Sequence, residues 1–112
     1  MVNKTVHKTL KNYLKKVKPD DEGYLFPSRK GKGPLQNQGV SKLIKKWTSA
    51  INLKGNFGCH TLRKTFGYVQ RVDFGVGFDV LCKRFNHSSP AITMRYLGIQ
   101  DKEVNGILMN DI

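Results

Sequence analysis

The chain has 112 residues, enough for one small domain or a piece of one. Lys and Arg number 20 against 8 Asp and Glu, a formal net charge of +12 at pH 7, and that excess points to a polyanionic partner because neutralised phosphates release counterions. No apolar run approaches the roughly 20 residues of a membrane span, no signal-peptide stretch opens the chain, and Cys59 and Cys82 make no disulfide framework, so a reducing cytoplasm fits best.

Residues 3–17 predict a helix: Val6, Leu10, Tyr13, Leu14 and Val17 share one stripe, Asn3 can cap the start, and Pro19 stops it. Residues 18–36, punctuated by Pro19, Gly23, Pro27, Gly31, Gly33 and Pro34, read as loop, with Tyr24-Leu25-Phe26 as a tucked-in apolar anchor. Arg29, Lys30 and Lys32 sit in that loop, where they can follow a phosphate backbone or simply be solvated. A second helix over about 37–51 turns Val40, Leu43, Ile44, Trp47 and Ile51 to the core and leaves Lys42, Lys45 and Lys46 off that stripe. Its polar start, Gln36-Asn37-Gln38, stands at the positive end of the helix dipole, where phosphates or base edges are met; plain capping explains it equally well.

A third helix starts near His60, with Leu62, Phe66 and Val69 as its buried stripe. At 3.6 residues per turn, His60, Arg63, Gly67 and Gln70 share another face, so His60 and Arg63 are neighbours beside a gap that glycine leaves for a ligand. Residues 73–78 read as a turn. Asp79 then caps a short helix with Val80, Leu81 and Phe85 inward, ended by Asn86 in a left-handed conformation. Ser89 before Pro90 predicts the next helix start; that helix carries Ile92 and Tyr96 and stops at Gly98. Asp101 caps a last helix with Val104, Ile107 and Leu108 on its apolar side. No long alternating strand appears, so the expected fold is mainly α.

Four residues can act on a phosphodiester. Arg63 offers a planar, permanently charged fork matching two phosphate oxygens. His60 and His87 can donate or accept a hydrogen bond near neutral pH. Tyr96 supplies an oxygen nucleophile, which needs a base or a positive field because a free phenol is protonated at neutral pH. Each of these residues alone is more commonly structural; their joint order and spacing carry the reading.

The stretches His60-Thr61-Leu62-Arg63-Lys64-Thr65-Phe66, Phe85-Asn86-His87-Ser88-Ser89-Pro90 and Thr93-Met94-Arg95-Tyr96 resemble the tyrosine recombinases, the family of phage and conjugative-transposon integrases. Leu25-Phe26-Pro27-Ser28 is similar to the family's loop signature before the helix containing Val40, so the resemblance covers nearly the whole chain. It implies the C-terminal helical part of the DNA breaking-rejoining catalytic fold. It also implies roles: Arg63 as the second of two arginines on the scissile phosphate, His60 as the histidine that helps deprotonate the nucleophile, and His87 as a donor to a non-bridging oxygen. Tyr96 would form a 3′-phosphotyrosyl bond and release a 5′-hydroxyl, with no metal or other cofactor. Asn86 stands where the commoner wording has glycine, a mild departure at a left-handed position. A larger one is that no residue matches the family's first catalytic arginine or its β-hairpin lysine, which lie upstream of the matched region. Residues 1–112 are therefore expected to be a partial catalytic domain, inactive alone, from a bacterial or phage-encoded site-specific recombinase.

By the same resemblance Gln36, Asn37 and Gln38 would meet bases in the major groove of double-stranded DNA, and Lys42 and Lys64 its phosphates. The tail with Val104, Ile107 and Leu108 would pass to a neighbouring subunit in a homo-oligomer on DNA, or fold back on its own chain. The competing function is a basic helical nucleic-acid-binding module without chemistry, Tyr96 then being a packing residue. Zinc held by Cys59, His60, Cys82 and His87 lacks the usual close-paired ligand spacing.

Overall fold

The computed structural model describes residues 1–107, 109 and 110, apart from the side chains of Gln100, Asp101, Lys102 and Val104. Among the described residues six helices follow one another: α1 (Lys4–Val17), α2 (Asn37–Ala50), α3 (Cys59–Val72), α4 (Phe78–Phe85), α5 (Pro90–Leu97) and α6 (Gln100–Ile107). Among the described residues the extended pairing is one isolated antiparallel bridge, Pro27 to Pro34. The fold is mainly α, as the sequence predicts. The chain divides into two compact units, Met1–Leu43 and Ile44–Ile112.

In the first unit, Asn3 caps α1 by accepting a hydrogen bond from the Val6 amide at 2.8 Å. The helix ends at Lys18, left-handed at φ 44° with its amide on the Leu14 carbonyl, an αL cap, and Pro19 beyond it cannot continue the helix. Tyr13 holds the following loop: its hydroxyl donates to the Leu25 carbonyl at 3.0 Å and its ring lies 5.3 Å from that of Phe26. The anchor Tyr24-Leu25-Phe26 is nevertheless exposed, not tucked in, and no residue of α1 is buried. One helix, one loop and the start of α2 make up this unit, too little to enclose an apolar stripe.

The second unit is built around α5, which packs against α3, α4 and α6. Its core is Ile44, Leu81, Cys82, Phe85 and Ile99, with the polar Thr93 fully buried among the described residues. Several residues expected inside are not: Trp47, Ile51, Leu62, Phe66 and Val80 are all exposed. Helices α4 and α5 have only eight residues each, so each covers about two turns of a neighbour and leaves the flanks of longer stripes bare.

The helix ends explain the remaining differences. Gly77 begins α4, so Asp79 lies inside the first turn rather than capping it. Asn86 closes α4 in the left-handed conformation, φ 57°, with its amide on the Lys83 carbonyl and the His87 amide on that of Cys82, a Schellman turn. Ser89 does occupy the N-cap of α5 with Pro90 in the first turn, but its hydroxyl makes no capping bond. Gly98 ends α5 at φ 68°, and α6 starts at Gln100, one residue before the expected Asp101.

Candidate active site

The candidate residues Arg63, His87 and Tyr96 converge on one aromatic ring, that of Phe85. Arg63 Nη2 donates to the Phe85 carbonyl at 2.8 Å, and the guanidinium lies 4.7 Å from the ring centroid. That carbonyl ends α4, where the negative end of the helix dipole favours a cation. The Phe85 ring, 5% exposed, is 5.4 Å from the His87 ring and 5.6 Å from the Tyr96 ring. Phe85 thus spaces a guanidinium, an imidazole and a phenol around a rigid apolar centre.

Gly67 makes that arrangement possible, though not as expected. A Cβ there would stand 2.6 Å from Phe85 Cζ and 2.8 Å from Leu97 Cδ2. The room beside Arg63 belongs to packed side chains of α4 and α5, not to a ligand.

His87 is fixed from three directions. Its amide donates to the Cys82 carbonyl at 3.0 Å, the Cys82 thiol donates to its own carbonyl at 3.2 Å, and its Nδ1 lies 2.9 Å from Thr93 Oγ1. The direction of the last bond follows the imidazole's tautomer. The ring meets Tyr96 edge-on at 5.2 Å.

Tyr96 is half-buried on α5, and its hydroxyl is enclosed without a hydrogen-bond partner among the described residues. Lys64 Nζ lies 5.1 Å from the Tyr96 ring centroid, which gives this lysine a neighbour besides any phosphate. His60, one turn before Arg63, is exposed on α3 and takes part in none of these contacts. The turn it stands on is tightened by Thr61, whose Oγ1 accepts from the Gly58 amide at 2.9 Å.

In the first unit the loop carrying Arg29, Lys30 and Lys32 is closed by two backbone bonds, Ser28 to Gly33 at 2.9 Å and Leu35 to Phe26 at 2.7 Å. All three cations are exposed, as are Gln36, Asn37, Gln38 and Lys42 at the start of α2. In the second unit Arg71 grips Glu103 of α6 with two bonds, Nε to Oε1 at 2.6 Å and Nη2 to Oε2 at 2.7 Å. The Arg71 hydrogen bonds hold the Glu103 carboxyl below the usual carboxylate range, opposed in part by burial. Ile107 is exposed; the Val104 side chain and Leu108 lie outside the described residues. Among the described residues no three His, Cys, Asp or Glu side chains gather as a metal site requires, and no helix is long and apolar enough to cross a membrane.

Sequence reasoning gave Phe85 and Thr93 no role at the site beyond their place in the resembling stretches, and weighed Cys82 only for a disulfide or for zinc. A signal for Thr93 existed: it precedes Tyr96 by three residues and so shares its side of α5. Nothing in the sequence ties Cys82 to His87, since that contact arises from the Schellman turn.

The family profile described as "Phage integrase family" matches residues 1–103. The chain is 34% identical over 103 residues to the "Probable integrase/recombinase YoeC" of Bacillus subtilis, covering 90% of this chain and 54% of that protein. It is 31% identical over 94 residues to a "Tyrosine recombinase" of Pseudothermotoga lettingae, covering 84% of this chain and 32% of that protein. It therefore spans about half the length of the first relative and a third of the second. No solved structure matches it.

Proposed function

This chain belongs to the phage integrase family, the tyrosine recombinases, and on that premise we propose that it carries the nucleophile half of a site-specific DNA recombination centre. The Tyr96 oxygen attacks the scissile phosphorus; an O–P bond to tyrosine forms, the bond to the 5′-oxygen breaks, and that oxygen leaves as a hydroxyl after taking a proton. The 3′-phosphotyrosyl link keeps the energy of the phosphodiester, so another strand's 5′-hydroxyl can rejoin by the reverse step. Arg63 and His87 donate to the non-bridging oxygens, where charge grows in the crowded transition state; losing one such donor typically costs ~3 kcal/mol. His60 takes the phenol's proton.

One observation supports this reading above the others: Tyr96 packs its ring edge-on against His87 in a cluster that includes Arg63, and its hydroxyl is enclosed with no partner among the described residues. A buried hydroxyl without a partner costs about 1–3 kcal/mol, and a catalytic role is one reason a native fold keeps such a group. An arriving phosphate, gripped by Arg63, offers the phenol a way out of that state.

The proposed partner is double-stranded DNA in a bacterial or phage-infected cytoplasm. Gln36, Asn37 and Gln38 lie along bases, and Lys42, Lys64 and the Arg29–Lys30–Lys32 loop along phosphates. The chain supplies only part of the phosphate clamp, because no residue here matches the family's first arginine or hairpin lysine. The C-terminal segment with Val104, Ile107 and Leu108 docks on a neighbouring copy; Ile107 is 66% exposed, which suits that role.

The test is a nicked suicide DNA site given to this chain, supplemented in trans with the upstream part of a relative's catalytic domain. A covalent adduct that disappears in Tyr96→Phe supports strand exchange. DNA binding with no adduct under any supplementation would instead identify a non-catalytic nucleic-acid-binding module.

A further inference from the structure

Thr93 has no solvent exposure at all, yet it carries a hydroxyl. Helical threonines usually turn that group back on their own backbone. In this chain Thr9, Thr48 and Thr65 do so, donating to the carbonyls of Thr5, Ile44 and Thr61 at 2.9, 3.0 and 2.9 Å. Thr93 differs: its Oγ1 stands 2.9 Å from Nδ1 of His87, six residues away and outside α5. A hydroxyl sealed from water is stabilised by giving its proton to a protein acceptor, and the imidazole nitrogen is the acceptor in reach.

We infer that Thr93 is a positioning residue for strand cleavage: its hydroxyl donates to His87 Nδ1, fixing the imidazole's proton on Nε2 and aiming that N–H at a phosphate oxygen. The inference rests on the phosphate-binding role proposed above for His87. Its chemical content is a choice of tautomer. With Nδ1 accepting from Thr93, the outer nitrogen is a donor; in the other tautomer the outer nitrogen would present a lone pair to phosphate oxygens, which repel it.

The rest of the site suits this assignment. The His87 backbone is already held by the Cys82 carbonyl and thiol, so ring rotation is the freedom that remains, and the Thr93 bond removes it. Thr93 also sits one turn before Tyr96 on α5. One contact therefore sets both the tautomer of His87 and its 5.2 Å spacing from the Tyr96 ring.

The experiment uses the full chain with 15N-labelled histidine, the His87 signals being assigned with His87→Gln. Long-range proton–nitrogen correlation spectra at a pH where the ring is neutral report which nitrogen carries the proton. The unsubstituted chain and Thr93→Ser should show Nε2 protonated and Nδ1 bare, whereas Thr93→Val, which keeps the shape and loses the hydroxyl, should show a mixture. Nδ1 found protonated in the unsubstituted chain overturns the inference, and so does a folded Thr93→Val with an unchanged tautomer. In the suicide-site assay Thr93→Val should slow adduct formation about tenfold or more at unchanged DNA affinity, as loss of an orienting partner does elsewhere, with Thr93→Ser restoring the rate. If no variant forms an adduct, the function proposed above fails while the nitrogen shifts still decide the tautomer.

Discussion

Replacing Gly67 with alanine adds one methyl group to α3 where it faces Phe85. Two physical effects oppose each other. Alanine is a better helix former than glycine by about 1 kcal/mol. Against this, the new Cβ would lie 2.6 and 2.7 Å from Phe85 Cζ and Cε2 and 2.8 Å from Leu97 Cδ2, all closer than real Cβ atoms approach their neighbours. Overpacking of this kind costs about 1–3 kcal/mol. The upper part of that range applies, because Phe85 is hemmed in by Arg63, His87 and Tyr96 and cannot swing aside. The net expectation for Gly67→Ala is a loss of about 1–2 kcal/mol. Gly106 in α6 is the matched control: among the described residues nothing lies within 4 Å of its Cβ position, so the same change there should be neutral or stabilising by up to about 1 kcal/mol. Urea unfolding followed by far-UV circular dichroism measures both, and amide exchange in α3–α5 locates the loss. A Gly67→Ala chain as stable as its parent would refute the packing argument, and with it the role of Phe85 as the spacer of the site.

Tyr96→Phe should raise stability by about 1 kcal/mol, since it deletes an enclosed hydroxyl that has no partner; an unchanged or lower urea midpoint would mean that the hydroxyl is satisfied in solution. The Glu103 carboxyl is held below its ordinary range by Arg71, so its contribution to docking α6 is full above the unfolded-state value and is lost as pH falls through the lower folded one. Ile107 methyl signals should therefore report release of α6 only in acid, below the ordinary carboxylate range, and Glu103→Gln should remove that transition; release at neutral pH would contradict it. Neutralising Lys30 and Lys32 together should leave the circular dichroism spectrum unchanged. The salt dependence of DNA affinity should become shallower by roughly 0.9 for each phosphate that the loop no longer neutralises, and an unaltered slope would take the loop off the DNA.

Much of the local structure was legible because it is written in neighbouring residues. Asn3 as a cap, Asn86 and Gly98 as left-handed stops, and Ser89-Pro90 as a helix entry all follow from backbone sterics within a few positions. The site residues were legible as an ordered set of chemical groups, through their spacing and the resemblance they carry. Burial was read less well. Periodicity shows which face of a helix is apolar, but not whether anything covers it, and Trp47, Ile51, Leu62 and Phe66 are the cost of that gap.

The sequence by itself determined where helices start and stop and which side chains could meet a phosphate, because both depend on covalent chemistry and short-range geometry. Only the tertiary structure decided that Phe85 fills the space under Gly67, that Thr93 turns from its own helix to His87, and that the Tyr96 hydroxyl is enclosed. Those contacts join residues whose separation along the chain says nothing about their distance in space. They are set by how short helices pack around α5, and packing is a property of the whole unit rather than of any segment.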